Sequence, residues 1–381
     1  MPQSLKLCVL SALVATATSA FGFEGLAILG DSSSTGAAAH PRLEFDSKVL
    51  WEIFNGTIDL HVDPSLVPAD FLASAGSLEP PTRVGPSSRE NDGGSGWLWH
   101  NFSQKISAMT LESHQLSYGY LAGRKLGIPA RDILLAGENG TTSRHAWLHA
   151  ARLVGTRNKD LPSRIVFFYT GNDLCAQSFD DVIAASDYGD ELLKGMKYLV
   201  LNGHADAHGT KIFIPGFLPV TTLLHEPSIL EHKIKLQGEM VTCKEARDRL
   251  FGPKLDQTKS APVTEPESAL MSDPRFQLFS AFMPPSPVFL CPTLFGKMAE
   301  DSVRQSLLAN RVRGFREAQK NAVEEFNHWR GLQFPAKAFE AVYIGATETI
   351  KFDGADVAGD CFHLSATGQG KVAGALLTEL R

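Results

Sequence analysis

No block of lysine or arginine runs anywhere in this chain, and its 36 basic residues are outnumbered by 42 acidic ones, a formal charge of −6. A nucleic-acid partner needs a basic patch facing its phosphates, so the charge pattern carries no footprint of one. The mild acidity bears on solubility and little else. Cysteines are few, five in 381 residues, and no Cys-x-x-Cys pair or Cys/His spacing builds a zinc site. No internal repeat is visible, so a solenoid or propeller is not indicated. Beyond the N-terminus, no apolar run approaches the roughly 20 residues needed to span a bilayer.

The N-terminus itself reads MPQSLKLCVLSALVATATSAFGFEG. One lysine precedes an apolar run from Leu7 to about Ala17, and small residues follow to Ala20. This is the grammar of a signal peptide, with cleavage expected after Ala20. The expected product is secreted, whether extracellular, periplasmic or in the secretory lumen, with no stable transmembrane anchor. Cys8 would leave with the signal, and Cys175, Cys243, Cys291 and Cys361 would remain. An even count in an oxidising compartment points to disulfides, with three possible connectivities for four cysteines.

What is present is ordinary globular material, 43% hydrophobic and 20% charged. Near-continuous apolar runs recur at GLAILG (25–30), DILLAG (132–137), RIVFFYT (164–170), KYLVLNG (197–203) and FEAVYIG (339–345). Runs without alternation read as strands buried on both faces. Helical spacing between them places Phe102, Ile106, Met109, Leu116 and Tyr120 on one face, and Val312, Phe315, Ala322, Phe326 and Trp329 on another. Alternating strands and helices predict an α/β fold, a three-layer α/β/α sandwich around a flavodoxin-like parallel sheet. Residues 21–381 are read as one domain. Pro-, Gly- and Ser-rich stretches mark two loop-rich insertions at the sheet edge, about 36–100 and 225–290.

In an open parallel sheet, sites form beyond the carboxyl ends of the strands. After the first run comes GDSSS with Ser32, after the second GENGTTS with Gly140, after the third GNDLC with Asn172. After the last comes GDCFHLSATGQGKVA, with Asp360 and His363. These residue types form a coherent set. A serine hydroxyl needs a base to take its proton, and imidazole titrates near neutrality. An aspartate three residues before the histidine can orient the ring and stabilise the imidazolium. Attack on an ester carbonyl creates an oxyanion that needs fixed donors. The backbone N–H groups of Ser32 and Gly140 and the Asn172 amide would supply them. Gly137 competes with Gly140 for this role, and Asp356 competes with Asp360 as the orienting acid. No metal or cofactor is required.

The four blocks, Ser, Gly, Asn and Asp-x-x-His in that order, resemble those of the SGNH (GDSL-type) hydrolase superfamily. Leu364 stands where that family often has proline, and Ser33 where its name motif has leucine. GDSSSTGAAAHP, GNDLC and CPTLFGKMAEDSVRQ look closest to the catalytic subunit of acyloxyacyl hydrolases, here without their saposin-like domain. The resemblance implies a carboxylic ester hydrolase with Ser32 as nucleophile, His363 as general base, Asp360 as its orienting acid, and Gly140 and Asn172 in the oxyanion hole. It implies a lipid acyl ester as substrate. A carbohydrate O-acetylesterase, or a non-catalytic binding protein on the same fold, are the competing readings. Cys175 lies three residues after Asn172 and Cys361 two before His363. If both loops meet at one site, a Cys175–Cys361 bridge is expected, leaving Cys243–Cys291 to close the second insertion.

Other features stay outside this set. His204, Asp206 and His208 in GHADAHG alternate as metal ligands on a strand would, though the flanking glycines fit a loop better. His145 and His149 lack a third ligand and read as surface or packing residues. Sequons occur at Asn55, Asn101 and Asn139, the last a poor place for a glycan beside the oxyanion hole. Trp97, Trp99 and Phe279 would line an acyl groove or pack in the core.

Overall fold

The computed structural model describes residues 24–37, 39, 62, 64–71, 78–84, 113–176, 179–236, 239–251, 292–295 and 301–381. The expected signal peptide lies outside these residues, as do Phe102, Ile106, Met109, Trp97, Trp99, Phe279, Asn55, Asn101, Cys291 and most of both insertions.

The first apolar run becomes β1 (Leu26–Gly30), buried along its whole length. Around it form β2 (Thr82–Arg83), β3 (Ile133–Leu135), β4 (Arg164–Phe168) and β5 (Thr210–Pro215), while β6 (Lys233–Leu236) and β7 (Glu239–Thr242) pair elsewhere and β8 (Phe339–Ile344) closes the edge. The main sheet runs in the order β2-β3-β1-β4-β5-β8, and every pairing in it is parallel. The chain therefore leaves β1 for the edge strand β2, returns inward as β3 beside β1, and then crosses to β1's other side as β4. In open α/β sheets such a reversal of strand order marks where ligands bind, here at the carboxyl end of β1.

Parallel strands cannot be joined by tight turns, so helices cross over both faces. The helices are α1 (Ser32–Thr35), α2 (Tyr118–Lys125), α3 (Ala146–Thr156), α4 (Ala185–Asn202), α5 (Val220–His225), α6 (Pro227–Leu230), α7 (Cys243–Phe251), α8 (Pro292–Phe295), α9 (Asp301–Gln333) and α10 (Ala366–Leu380). Two glycines show which layer is which. Gly119 of α2 rests on Ile28, and Gly195 of α4 rests on Phe167. Ile28 pairs with Val166 and Leu29 with Phe167, so Ile28 and Phe167 point to opposite faces. α2 and α10 cover the first face, and α3, α4 and α9 the second. Side chains such as Leu26, Ile28, Phe167, Phe168, Phe213, Phe315 and Phe326 are buried between the layers. Each contributes about 1.5–3 kcal/mol relative to exposure.

The structure corrects one strand. Of KYLVLNG (197–203), residues 197–202 form the last turns of α4 and Gly203 is its C-cap. Leu192, Leu193, Met196, Leu199 and Val200 are buried at helical spacing, while Leu201 is 56% exposed. The fourth long strand is instead TKIFIP (210–215). Of the helix expected to carry Phe102, Ile106, Met109, Leu116 and Tyr120, the C-terminal part is α2, with Ser117 as N-cap accepting a hydrogen bond from the Tyr120 N–H. Leu116 belongs to a preceding 3-10 turn. The helix expected to carry Val312, Phe315, Ala322, Phe326 and Trp329 is α9, which buries the first four of them. Within the second insertion, α6, the antiparallel β6–β7 hairpin and α7 form an ordered patch. Among the described residues, no helix is long and apolar enough to cross a membrane.

Candidate active site

β1 delivers the chain to its carboxyl end, where Asp31 caps α1 and Ser32 is the first helical residue. Gly30 is required there, because a Cβ would collide with the Ser34 side chain and the Phe168 carbonyl. The Asp31 carboxylate accepts from the Ser33 N–H at 2.9 Å. Its other oxygen accepts from the Thr170 N–H at 2.8 Å and the Thr170 hydroxyl at 3.1 Å. Burial pushes the Asp31 carboxyl above its ordinary value, against these hydrogen bonds. Gln369 of α10 holds the same turn from the other face, donating to the Ser33 carbonyl and accepting from the Tyr118 N–H. The Ser32 turn is thus fixed to the loop just after β4 and to α10 together.

The sequence DCFH forms a turn before α10. The Asp360 carboxylate accepts from the N–H groups of Phe362 and His363 with one oxygen. Its other oxygen meets His363 Nδ1 at 2.5 Å, and His363 Nε2 lies 2.9 Å from Ser32 Oγ. With Nδ1–H donating to Asp360, Nε2 carries the lone pair and accepts a hydrogen bond from the Ser32 hydroxyl. Burial disfavours the imidazolium, but the charge and hydrogen bond of Asp360, helped by the Asp31 charge, outweigh it and raise His363 above its ordinary value. Burial likewise works against the Asp360 anion, and is outweighed by His363 and by the two backbone donors, so its carboxyl falls below its ordinary value. Asp356, the competing acid, is engaged elsewhere: it accepts from Lys371 Nζ and from the Asp353 N–H.

The loop after β3 packs onto the Ser32 turn. A Cβ on Gly137 would stand 2.9 Å from Ser34 Cβ, which makes this a packing glycine. Gly140 differs: its φ is +76° and a Cβ would meet nothing within 4 Å, so backbone conformation alone demands glycine. Asn139 Oδ1 accepts from the Thr35 hydroxyl at 2.8 Å, tying this loop to α1. The Asn172 amide donates to the Thr141 carbonyl at 3.0 Å, one residue past Gly140, and keeps a second N–H. Ser32, His363 and Asp360 are brought into one hydrogen-bonded chain, and Asn172 and Gly140 are brought onto adjoining loops.

Several supporting contacts escaped sequence reasoning. Buried Asp173 accepts from the Ser143 N–H and hydroxyl and so joins the Asn172 turn to the start of α3. Burial pushes its carboxyl up to about 7. Glu138 accepts from the buried Arg152 at 2.6 Å and lies 3.5 Å from buried His149, whose Nδ1 is 2.7 Å from the Tyr169 hydroxyl. Burial pushes His149 down, partly offset by Glu138. His149 is therefore a packing residue of this cluster.

The expected disulfides are overturned. Cys361 is bonded to Cys243, the first residue of α7, with a Cα–Cα distance of 5.6 Å. Neither Cys175–Cys361 nor Cys243–Cys291 exists. Cys175 also stands in a disulfide, its partner outside the described residues. The reason is directional: the segment after Asn172 turns onto α8, where Thr293 accepts from and donates to residues 174–176.

GHADAHG lies before β5, at the opposite end of the sheet from Ser32. Asp206 accepts from the His208 N–H, and His204 pairs with Asp160 at 3.4 Å. Among the described residues, no group of three or more His, Cys, Asp or Glu side chains gathers as a metal site. Compared with known protein families and with curated proteins, the chain matches none of them.

Proposed function

We propose that this protein is a serine ester hydrolase acting through an acyl-enzyme on Ser32. The observation that carries the reading is the chain Ser32 Oγ–His363 Nε2–Asp360, at 2.9 Å and 2.5 Å. Ser32 Oγ attacks the ester carbonyl carbon as its proton passes to His363 Nε2. Asp360 stabilises the imidazolium. The oxyanion is held by the N–H groups of Ser32 and Gly140 and the second N–H of Asn172. Collapse expels the alcohol, which takes the proton from His363. Water then attacks the acyl carbonyl, giving its proton to His363, and the acid leaves as Ser32 is reprotonated.

The resemblance of GDSSSTGAAAHP and GNDLC to acyloxyacyl hydrolases supports lipid acyl esters as the substrate class. The signal-like N-terminus and the Cys243–Cys361 bridge support a secreted enzyme. Hydrolysis of p-nitrophenyl esters from acetate to palmitate tests the reading. Turnover is expected to rise with chain length and to fall at least about 10⁴-fold in Ser32→Ala. Acetate-only activity would move the substrate to carbohydrate O-acetyl groups. Unchanged turnover in Ser32→Ala would sink the mechanism.

A further inference from the structure

Cys361 sits between the orienting acid and the base, and its φ is +58°. A residue with a Cβ seldom adopts this left-handed conformation, and only when its surroundings impose it. Here two groups from one helix grip the residue. Its sulfur is bonded to Cys243, and its carbonyl accepts from Arg247 Nη2 at 2.8 Å. Cys243 and Arg247 are four residues apart on α7, so they share a helix face. The helix start is itself fixed by Thr242-Cys243-Lys244-Glu245. The Thr242 hydroxyl accepts from the Glu245 N–H at 3.1 Å, and Glu245 Oε2 accepts from the Thr242 N–H at 2.7 Å. Ile234 and Val241 of the hairpin, with Cys243, Ala246 and Cys361, form an apolar cluster separate from the main core.

We infer that α7 and its hairpin are a positioning element for the Asp360–His363 turn, with Arg247 and the Cys243–Cys361 bridge as its two holds. The inference rests on the hydrolase reading only for its effect on turnover. Without the holds, the turn keeps only its own bonds, from the Cys361 N–H to the Ala358 carbonyl, from the Ala358 N–H to the His363 carbonyl and from the Phe362 and His363 N–H groups to Asp360; residue 361 is then free to relax toward negative φ, which shifts Asp360 relative to His363. A glycine at 361 is free of the penalty and keeps the turn without the bridge.

The test compares the full chain with three variants: Arg247→Met, Cys243→Ser/Cys361→Ser and Cys243→Ser/Cys361→Gly. Two readouts are used: the far-downfield NMR resonance of the His363 Nδ1 proton, and kcat and KM on a short ester. The resonance should be sharp in the parent, lost or broadened in the Arg247→Met and double-serine variants, and recovered in the glycine variant. Turnover should follow it, falling roughly 100-fold with KM little changed, as expected for misplacement of a catalytic group. A parent-like resonance in both the Arg247→Met and double-serine variants would overturn the inference, as would equal loss in the serine and glycine variants. The expected pattern of resonances without ester turnover in the parent would leave the positioning role standing and remove the hydrolase reading.

Discussion

A serine hydroxyl is almost wholly protonated at neutral pH, so Ser32 is a nucleophile only as far as His363 takes its proton. His363 is raised above its ordinary value in the resting site. In the proposed mechanism the neutral ring is the base, so kcat/KM should rise with pH through a midpoint above the ordinary histidine value. Asp360→Asn removes the charge that raises it, so the residual acid limb should move to lower pH while turnover falls about 10⁴-fold. A pH–rate profile of both proteins checks this. Ser32 was legible in a short motif directly after β1, and Asp360 and His363 in a compact Asp-x-x-His turn shortly before α10. The cysteine partners were not. Proximity along the sequence to Asn172 and His363 said nothing of direction, and Cys361 turns toward α7 while the chain at Cys175 turns toward α8.

At the scale of elements, the loops around Ser32 are held from below by charge. Glu138 opens the Gly140 loop, and its carboxylate pairs with Arg152 of α3, a side chain only 2% exposed. Removing the cation would leave a carboxylate with little access to water. Arg152→Met should therefore destabilise the fold by about 3–5 kcal/mol, read from urea denaturation midpoints. A loss below about 1 kcal/mol would show that the pair is relaxed by solvent. Nothing in AGENG and AWLHAARLVG announced this pair, because it spans a loop and a helix that meet only in the fold. Element type failed where the window was short. KYLVLNG looks extended by itself, yet its apolar residues continue the helical spacing begun at Leu192. Short apolar runs do not separate a buried strand from a buried helix end.

For the whole molecule, the sheet order explains why distant blocks converge. Ser32 follows β1, Gly140 follows β3 and Asn172 follows β4, the three strands beside the reversal in strand order. The parallel α/β architecture was legible from apolar runs alternating with helices, whereas the register and the small edge strand β2 required the fold. Stability should also carry the Glu138 signature. Its carboxyl is brought down to about 2: burial opposes the anion but is outweighed by its hydrogen bonds and charge contacts with His149 and Arg152. The stabilisation it adds is complete above its unfolded value, ordinarily 4.5, and is lost as pH falls toward about 2. Acid unfolding of the parent should therefore steepen across that window, and Glu138→Gln should flatten it.

The central claim, an activated Ser32, is tested most directly by covalent capture. The protein would be treated with a fluorophosphonate and the modified residue found by peptide mass spectrometry. The account predicts labelling of Ser32 at one equivalent per chain, abolished by His363→Ala. Labelling at another residue, or undiminished labelling of Ser32 in His363→Ala, would contradict it.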